Sequence, residues 1–495
     1  MRFNFSEVSS NVNEVELSFK LHCCSKLKDF VFKYEDLLGK EIWDVLDEKI
    51  QEEPGAFLSA INSYATRKKN IRIYLLIDEY DNFTNTILST YGTEFYRKAT
   101  HGEGFIRGFF NVIKSATTGT GAALERLFIT GVSPVTMDDV TSGFNIGTNI
   151  TNDSWFNDLV GFSENELREM LEYYKEQGVL QESIDEIVAM MKPNYDNYCF
   201  SEDTLEQCMF NSDMALYFLK SFVLHHKKPK EIVDPNIRTD FNKLAYLIKL
   251  DHGLGENFSV IKEIAEQGEI ITDIVTHFSA LEMTDPSNFK SLLFYFGLLS
   301  IKGVDMVGRP ILHVPNLVVR EQLFNFLIQG YIKHDIFKID MNKMSALFEN
   351  MAFRGDWKPL FDFIANAVRE QSRIREYIEG EAHIKGFLLA YLGMYRYYQL
   401  YPEYELNKGF ADFFFKPSLS VPVLPPFTYL LEVKYAKAGA SEKEIRALAD
   451  EAREQLLRYS EDELVAEAKA KGELKLITIV WRSWELALLE EVTLS

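Results

Sequence analysis

Two acids and a lysine could do chemistry together in the last quarter of the chain. In FTYLLEVKYAK (427–437) Glu432 and Lys434 are two residues apart, so a strand turns both to one face. An apolar core strand does not carry a carboxylate and an ammonium side by side without a reason. Asp412 lies in the strand-like GFADFFFKP (409–417), flanked by Phe410, Ala411 and Phe413. If the two strands are neighbours, Asp412 and Glu432 face each other across roughly 5 Å. Carboxylates that close repel, and a divalent cation between them removes the repulsion. Mg²⁺ is commonly held by one or two carboxylates plus waters. Lys434 beside them could hold a water or hydroxide near the metal and offset charge on a phosphate.

Helices supply further candidates. In EGEAHIKGFLLAYL (379–392) Glu381 is followed by Ile384 and Leu388. This i, i+3, i+7 spacing places Glu381 on the apolar stripe and predicts that it points toward the sheet. Gln455 and Tyr459 are i and i+4 on SEKEIRALADEAREQLLRYS (441–460) and share a helix face. His383, near Glu379, reads as a hydrogen-bonded structural histidine rather than a ligand. A second acidic pair, Asp78-Glu79, ends the apolar run of IYLLIDEYDN (73–82). Ligands bind at the C-terminal ends of parallel strands. Thr130 and Ser133 follow the next apolar run, in FITGVSP (128–134).

These residues need elements to position them. Residues 1–160 read as an α/β unit. Its strands are MRFNFS, IRIYLLIDEYD (71–81) and RLFITGVSP (126–134), the latter two patterned as buried parallel strands with helices between. From Ser163, with Glu166 three residues on, a capping box opens a helical region that runs to about 300. There SNFKSLLFYFGLLSIKG and RPILHVPNLVVREQLFNFLIQG give helix, strand pair, helix, which resembles a winged-helix module. A third part, 341–495, has a helix (about 373–398), a polar gap, strand 409–417, a Pro-rich link and strand 427–437. The helix capped by Ser441 and the strand LKLITIVWRSW (474–484) complete a small α/β core. The expected division is 1–160, 161–340 and 341–495.

Composition bounds the function. Against 53 Lys and Arg stand 74 Asp and Glu, a net charge of −21. That argues against a broad grip on phosphate backbones and leaves room only for a local basic groove. The charged run DELVAEAKAKGELK reads as a solvated helix face. Cys23, Cys24, Cys199 and Cys208 show no metal-ligand spacing and read as reduced thiols of a cytoplasmic protein. The longest apolar run, SLLFYFGLLSI (291–301), is too short to span a bilayer and fits a core helix. No signal-peptide pattern opens the chain.

Asp412 followed by Glu432-Val433-Lys434 resembles the PD-(D/E)XK nuclease superfamily. Gln455-x-x-x-Tyr459 resembles its RecB-type and lambda-exonuclease-type branch. The resemblance implies a restriction-endonuclease-like core of helix, β-meander, helix and strand. It implies Asp412, Glu432 and the Val433 carbonyl as ligands of Mg²⁺ or Mn²⁺, with Lys434 positioning the attacking water. Glu381 becomes the helix-borne acid, and Gln455 and Tyr459 contact substrate or orient the site. Ala411 departs from the family's Pro. LFITGVSPVTMDDVTSGFNIGTNIT (127–151) and LVGFSENEL (159–167) resemble AAA-ATPase-like bacterial proteins, which often carry a C-terminal PD-(D/E)XK domain. Asp78-Glu79 resembles a Walker B motif, implying Asp78 on Mg²⁺ and Glu79 orienting a water. Thr130 or Ser133 becomes a sensor. GxxxxGK[ST], which cradles phosphates, is absent from the sequence. The family carries it ahead of the segment at Met1, so the chain reads as truncated and ATP as a ligand only if that loop is supplied. The implied function is metal-dependent hydrolysis of phosphodiester bonds in nucleic acid, in particular DNA, with homo-oligomerisation open and no membrane partner. The alternative is a non-catalytic, nucleotide-regulated interaction or scaffold protein, which the acidic charge favours.

Overall fold

The structure is a computed structural model. It describes residues 1–68, 71–118, 122–132, 137, 139, 147–229, 231–233, 256–333, 340–370, 380–393, 395, 397–406, 409–418, 421 and 423–493. The described residues within Met1–Asp153 and Asp273–Gly297 form one compact unit. Those within Ser154–Phe241, Asp251–Thr272 and Leu298–Ser495 form a second.

The first unit is built on a parallel sheet of β1 (Arg2–Asn4), β2 (Ile73–Asp78) and β3 (Leu124–Ile129), in that order. Register places Phe3 beside Ile77, and Ile77 beside Ile129. Phe3, Ile73, Leu75 and Ile77 are buried. Helices α1 (Val15–Lys33), α2 (Pro54–Arg67) and α3 (Phe105–Thr117) pack with this sheet. Phe3 meets Phe109 of α3 edge-on at 5.6 Å between ring centroids. Each such ring contributes about 1.5–3 kcal/mol of burial. The strands were expected to be buried on both faces, but Tyr74, Leu76 and Phe128 are exposed, so burial follows the period-two alternation of a one-sided sheet. Strand β2 also stops at Asp78, short of 81, because Glu79 adopts φ +54° and turns the chain.

In the second unit, the expected capping box of Ser163 and Glu166 forms at the helix Glu164–Glu176. That helix shares a core with the helices Ile184–Tyr195 and Ser212–His225 through Leu167, Leu171, Met191 and Phe218. A small antiparallel sheet follows, of β4 (Glu269–Ile271), β5 (Ser300–Val304) and β6 (Pro310–His313), in the order β4-β6-β5. The helix Leu317–Lys333 comes next. The apolar run 291–301 is not one core helix. The helix Pro286–Tyr295, which belongs to the first unit, ends before Gly297 at φ +71°, and β5 begins at Ser300. A glycine in the left-handed region is a common helix stop. No described helix is long and apolar enough to cross a membrane.

The C-terminal part of this unit holds a five-stranded mixed sheet. Its strands are β7 (Tyr398–Leu406), β8 (Gly409–Pro417), β9 (Phe427–Ala436), β10 (Glu473–Arg482) and β11 (Glu485–Val492), in the order β11-β10-β9-β8-β7. Only β9 and β10 run parallel. Helix α4 (Glu381–Leu392) precedes the sheet, and α5 (Glu442–Tyr459) and α6 (Glu463–Lys471) connect β9 to β10. Ser441 caps α5 in a full capping box with Glu444. Strand β9 is central, and Thr428 to Val433 are all buried. The segment expected to be a polar gap is β7. Its Pro402 lies on an edge strand, where a missing ladder donor is tolerated.

Candidate functional site

The β8–β9 ladder is short. It joins Phe413–Phe415 to Tyr429–Leu431 and ends at the pair Phe413–Leu431. The next pair in that register is Asp412 and Glu432, where the strands stop bonding. Both are buried, at 4% and 3% exposure. Asp412 Oδ2 accepts the Val433 N–H at 2.6 Å, so a side chain replaces the lost ladder bond. Its other oxygen lies 2.5 Å from Lys385 Nζ. Glu432 Oε1 is 3.3 Å from Lys434 Nζ, as the shared strand face requires. Glu432 Oε2 is buried with no hydrogen-bond partner among the described residues. Lys434 also reaches Glu451 Oε1 at 3.1 Å, and Lys385 reaches Glu381 and Glu403 at 3.0 Å each.

Burial pushes the Asp412 carboxyl above the ordinary range, and Lys385 and the Val433 N–H only partly offset it. Burial, then the neighbouring Asp412 charge, pushes Glu432 up further than Lys434 and Lys385 can draw it down. The lysines behave oppositely. Burial disfavours both ammonium groups, but Asp412 and Glu403 around Lys385, and Glu432 and Glu451 around Lys434, outweigh it and raise both. The two lysines therefore stay charged beside carboxyls that resist ionisation.

The other expected residues fall out as follows. Ile384 and Leu388 are buried, but Glu381 does not follow their stripe. It is the first residue of α4, its side chain is 44% exposed, and among the described residues it is linked to Asp412 through Lys385. Gln455 lies one turn from Glu451 on α5, with its Oε1 buried and unpartnered among the described residues. Tyr459 is a core residue, packed among Leu406, Ala411, Phe414, Leu430 and Leu456. Its hydroxyl lies 3.3 Å from Arg458 Nη2 and against Gly409, where a Cβ would overlap it. Val433 is fully buried. Glu379 lies outside the described residues. Among the described residues no group of three or more His, Cys, Asp and Glu is arranged to hold a metal. The fork brings two carboxylates together, Asp412 and Glu432. Sequence reasoning missed Lys385, Glu403 and Glu451. The available signal was Lys385 alone among apolar residues, four after Glu381.

In the first unit, Thr130 Oγ1 donates to Asp78 Oδ1 at 2.7 Å and Arg2 Nη2 to Asp78 Oδ2 at 3.0 Å. The Thr130 hydroxyl, then the Arg2 guanidinium, hold the Asp78 carboxyl below its ordinary range. Glu79 accepts a long contact, 3.4 Å, from Asn82 Nδ2. Asp81, not singled out from sequence, is buried and accepts from the Val132 N–H at 3.0 Å and Asn85 Nδ2 at 2.7 Å. Gly131 lies so close to the Tyr80 ring that a side chain there would collide with it. Thr130 thus meets Asp78, whereas Ser133 lies outside the described residues.

Residues 1–141 match the family model described as predicted AAA-ATPase. Residues 379–491 match the model of the PD-(D/E)XK nuclease superfamily. No curated protein matches the chain. The second match spans α4, the five-stranded sheet and the Asp412–Glu432 fork, and the first spans the parallel sheet with Asp78. The chain therefore carries a predicted AAA-ATPase domain at its N-terminal end and a PD-(D/E)XK nuclease superfamily domain at its C-terminal end.

Proposed function

We propose that the C-terminal domain is a divalent-metal-dependent nuclease that hydrolyses phosphodiester bonds of DNA. The observation that carries this reading is the unpartnered, buried Glu432 Oε2, beside Asp412 and on the face of Lys434. A buried carboxylate oxygen without a donor is costly, and a cation would satisfy it. Asp412, Glu432 and the Val433 carbonyl would hold Mg²⁺ or Mn²⁺, which when bound polarises a phosphoryl oxygen and acidifies a water. Lys434, kept charged by Glu432 and Glu451, donates hydrogen bonds to an attacking water and offsets charge growing on the phosphate. A charged ammonium cannot take the proton, so Lys434 orients rather than acts as base. Gln455 offers its amide to substrate, and Tyr459 anchors α5 on β8. Glu381 holds Lys385 from the solvent side.

The purified chain should cleave DNA when Mg²⁺ or Mn²⁺ is added. Lys434→Ala should abolish cleavage with the circular dichroism unchanged. Equal cleavage by both proteins would assign the activity to a contaminant and sink the reading.

For the first unit we infer a nucleotide-responsive role. Asp78 and Thr130 meet at the C-terminal ends of adjacent parallel strands, with Asp78 and Glu79 in the Walker B positions. ATP would need a phosphate-cradling loop that the sequence does not contain. One observation favours the scaffold alternative: each key aspartate already has a basic partner, Arg2 on Asp78 and Lys385 on Asp412. The four cysteines are free thiols, which suits a reducing, cytoplasmic setting. Boundaries at about 160 and 340 remain our proposal for the domain division.

A further inference from the structure

Lys385 is the least expected member of the fork. Its ammonium has three N–H donors, and three carboxylates meet it: Asp412, Glu381 and Glu403. Of these only Asp412 is buried. Glu381 and Glu403 are partly solvated, with 44% and 38% of their side chains exposed. Lys385 therefore bridges the inside of the site and its rim. Asp412 Oδ2 is tied to the Val433 N–H, so Oδ1, which Lys385 occupies, is the oxygen a second cation would have to share. A dication bound there would sit within a few ångströms of a full positive charge in a poorly solvated place, where repulsion is strong.

We propose that Lys385 is a resident cation that competes with the divalent metal for Asp412. Glu381 and Glu403 are the carboxylates onto which it withdraws when metal binds. Without metal, each buried acid has an ammonium beside it, Lys385 on Asp412 and Lys434 on Glu432, so the domain can fold before it is loaded. With metal, Lys385 gives up one contact and keeps two. This rests on the nuclease reading above, and it adds a device that sets the metal concentration at which the site fills.

The test is Mn²⁺ binding to the full chain by calorimetry, with Asp412→Asn/Glu432→Gln as the baseline for binding elsewhere. Lys385→Met removes the charge and keeps the aliphatic stem, and it should bind Mn²⁺ about tenfold more tightly than wild type, because a unit positive charge within a few ångströms no longer repels the dication. Its metal-free form should melt lower, because Asp412 loses its cation. Lys385→Arg keeps the charge and should bind like wild type. If wild type binds above baseline and Lys385→Met binds equally or more weakly, the competition is refuted while the nuclease reading stands. If neither exceeds baseline, both fall. Should Lys385→Met fail to fold, the wild-type chain decides. Its Lys385 ammonium resonance, assigned by its loss in Lys385→Arg, should shift on saturation with Mg²⁺. An unmoved resonance under saturating metal overturns the proposal.

Discussion

Thr130 Oγ1 donates a 2.7 Å hydrogen bond to Asp78 Oδ1, joining the ends of β2 and β3 across 52 residues of sequence. With Arg2 on the other oxygen, both oxygens of Asp78 are engaged. A carboxyl held below its ordinary range contributes stability above the unfolded value, and that contribution is lost as pH falls through the folded one. Replacing Thr130 by Val removes the hydroxyl that does most to hold the carboxyl down and leaves Arg2. The Asp78 carboxyl should then titrate at higher pH, read from its ¹³C resonance. An unchanged titration would show that the hydroxyl does not bond Asp78 in solution.

Nucleotide binding should be weak. Tight ATP binding needs clustered backbone N–H groups and a lysine on the β/γ-phosphates, and no GxxxxGK[ST] occurs. Arg2 also occupies an oxygen of Asp78 that a nucleotide-bound Mg²⁺ would use. Calorimetry with ATP and Mg²⁺ should show no low-micromolar site. Finding one would mean that the first unit cradles phosphate by a motif of another kind.

Much of the site's frame was legible because periodicity fixes faces. Two-residue spacing placed Glu432 beside Lys434, and four-residue spacing put Gln455 and Tyr459 on one side of α5. Lys385, Glu403 and Glu451 were not legible, because their significance lies in contacts between α4, β7, β8, β9 and α5 that no local pattern encodes. Glu381 shows the limit of a helical stripe: at the first turn the helix has no preceding turn to bury against, and the side chain opens to solvent. Strand β7 was hidden by Pro402 and its glutamates, which an edge strand tolerates and a central one would not. Strand β3 was visible as an apolar run, but one exposed face of its sheet was not, since what covers a face depends on the rest of the fold.

Gly409 opens β8 against the Tyr459 hydroxyl, so a methyl group there must displace the ring or the strand. Gly409→Ala should cost about 1–3 kcal/mol as an overpacked core substitution. Adding Tyr459→Phe, which removes the oxygen the methyl meets first, should recover part of the loss. Chemical denaturation of the four proteins of this cycle measures the coupling. Additive losses would show that Tyr459 is not the neighbour that matters.

His313 on β6 sets an acid limb. Burial, then Lys302 and Arg320, against the opposing pull of Glu269, bring its imidazole down to about 4 from 6.5. A depressed histidine binds its proton less readily in the folded state, so its contribution is full above the unfolded pKa and falls away as pH drops from about 6.5 toward about 4. His313→Gln should flatten the decline of stability with acid across that window, followed by urea unfolding at a series of pH values. Parallel declines in wild type and variant would exclude His313 as the source.

Neutralising Glu432 separates a metal-ready carboxyl from an ordinary ion pair. Its raised pKa means that burial and the Asp412 charge together outweigh Lys434 and Lys385, so the folded site resists the ionised form. The sign follows: stability present at low pH is lost as pH rises through the folded pKa of Glu432, and Gln removes that loss. Metal-free Glu432→Gln should thus be more stable than wild type at about pH 9 and nearly equal at about pH 5. Because Lys385 joins Lys434 in balancing the acids, the gain is smaller than a pocket with a single lysine would give. Lys434 keeps Glu451 as a partner, so it is not stranded. An ordinary buried ion pair predicts the reverse, a loss of about 3–5 kcal/mol when one partner is removed. Metal supplies the second discriminator. Mn²⁺ bound only by the folded site should raise the melting temperature, and further as its concentration climbs above the dissociation constant, and Glu432→Gln should abolish most of that rise. If metal shifts neither protein and Glu432→Gln is destabilised at high pH, the fork is a structural ion pair and the catalytic reading of β9 fails, although the fold of the domain is untouched.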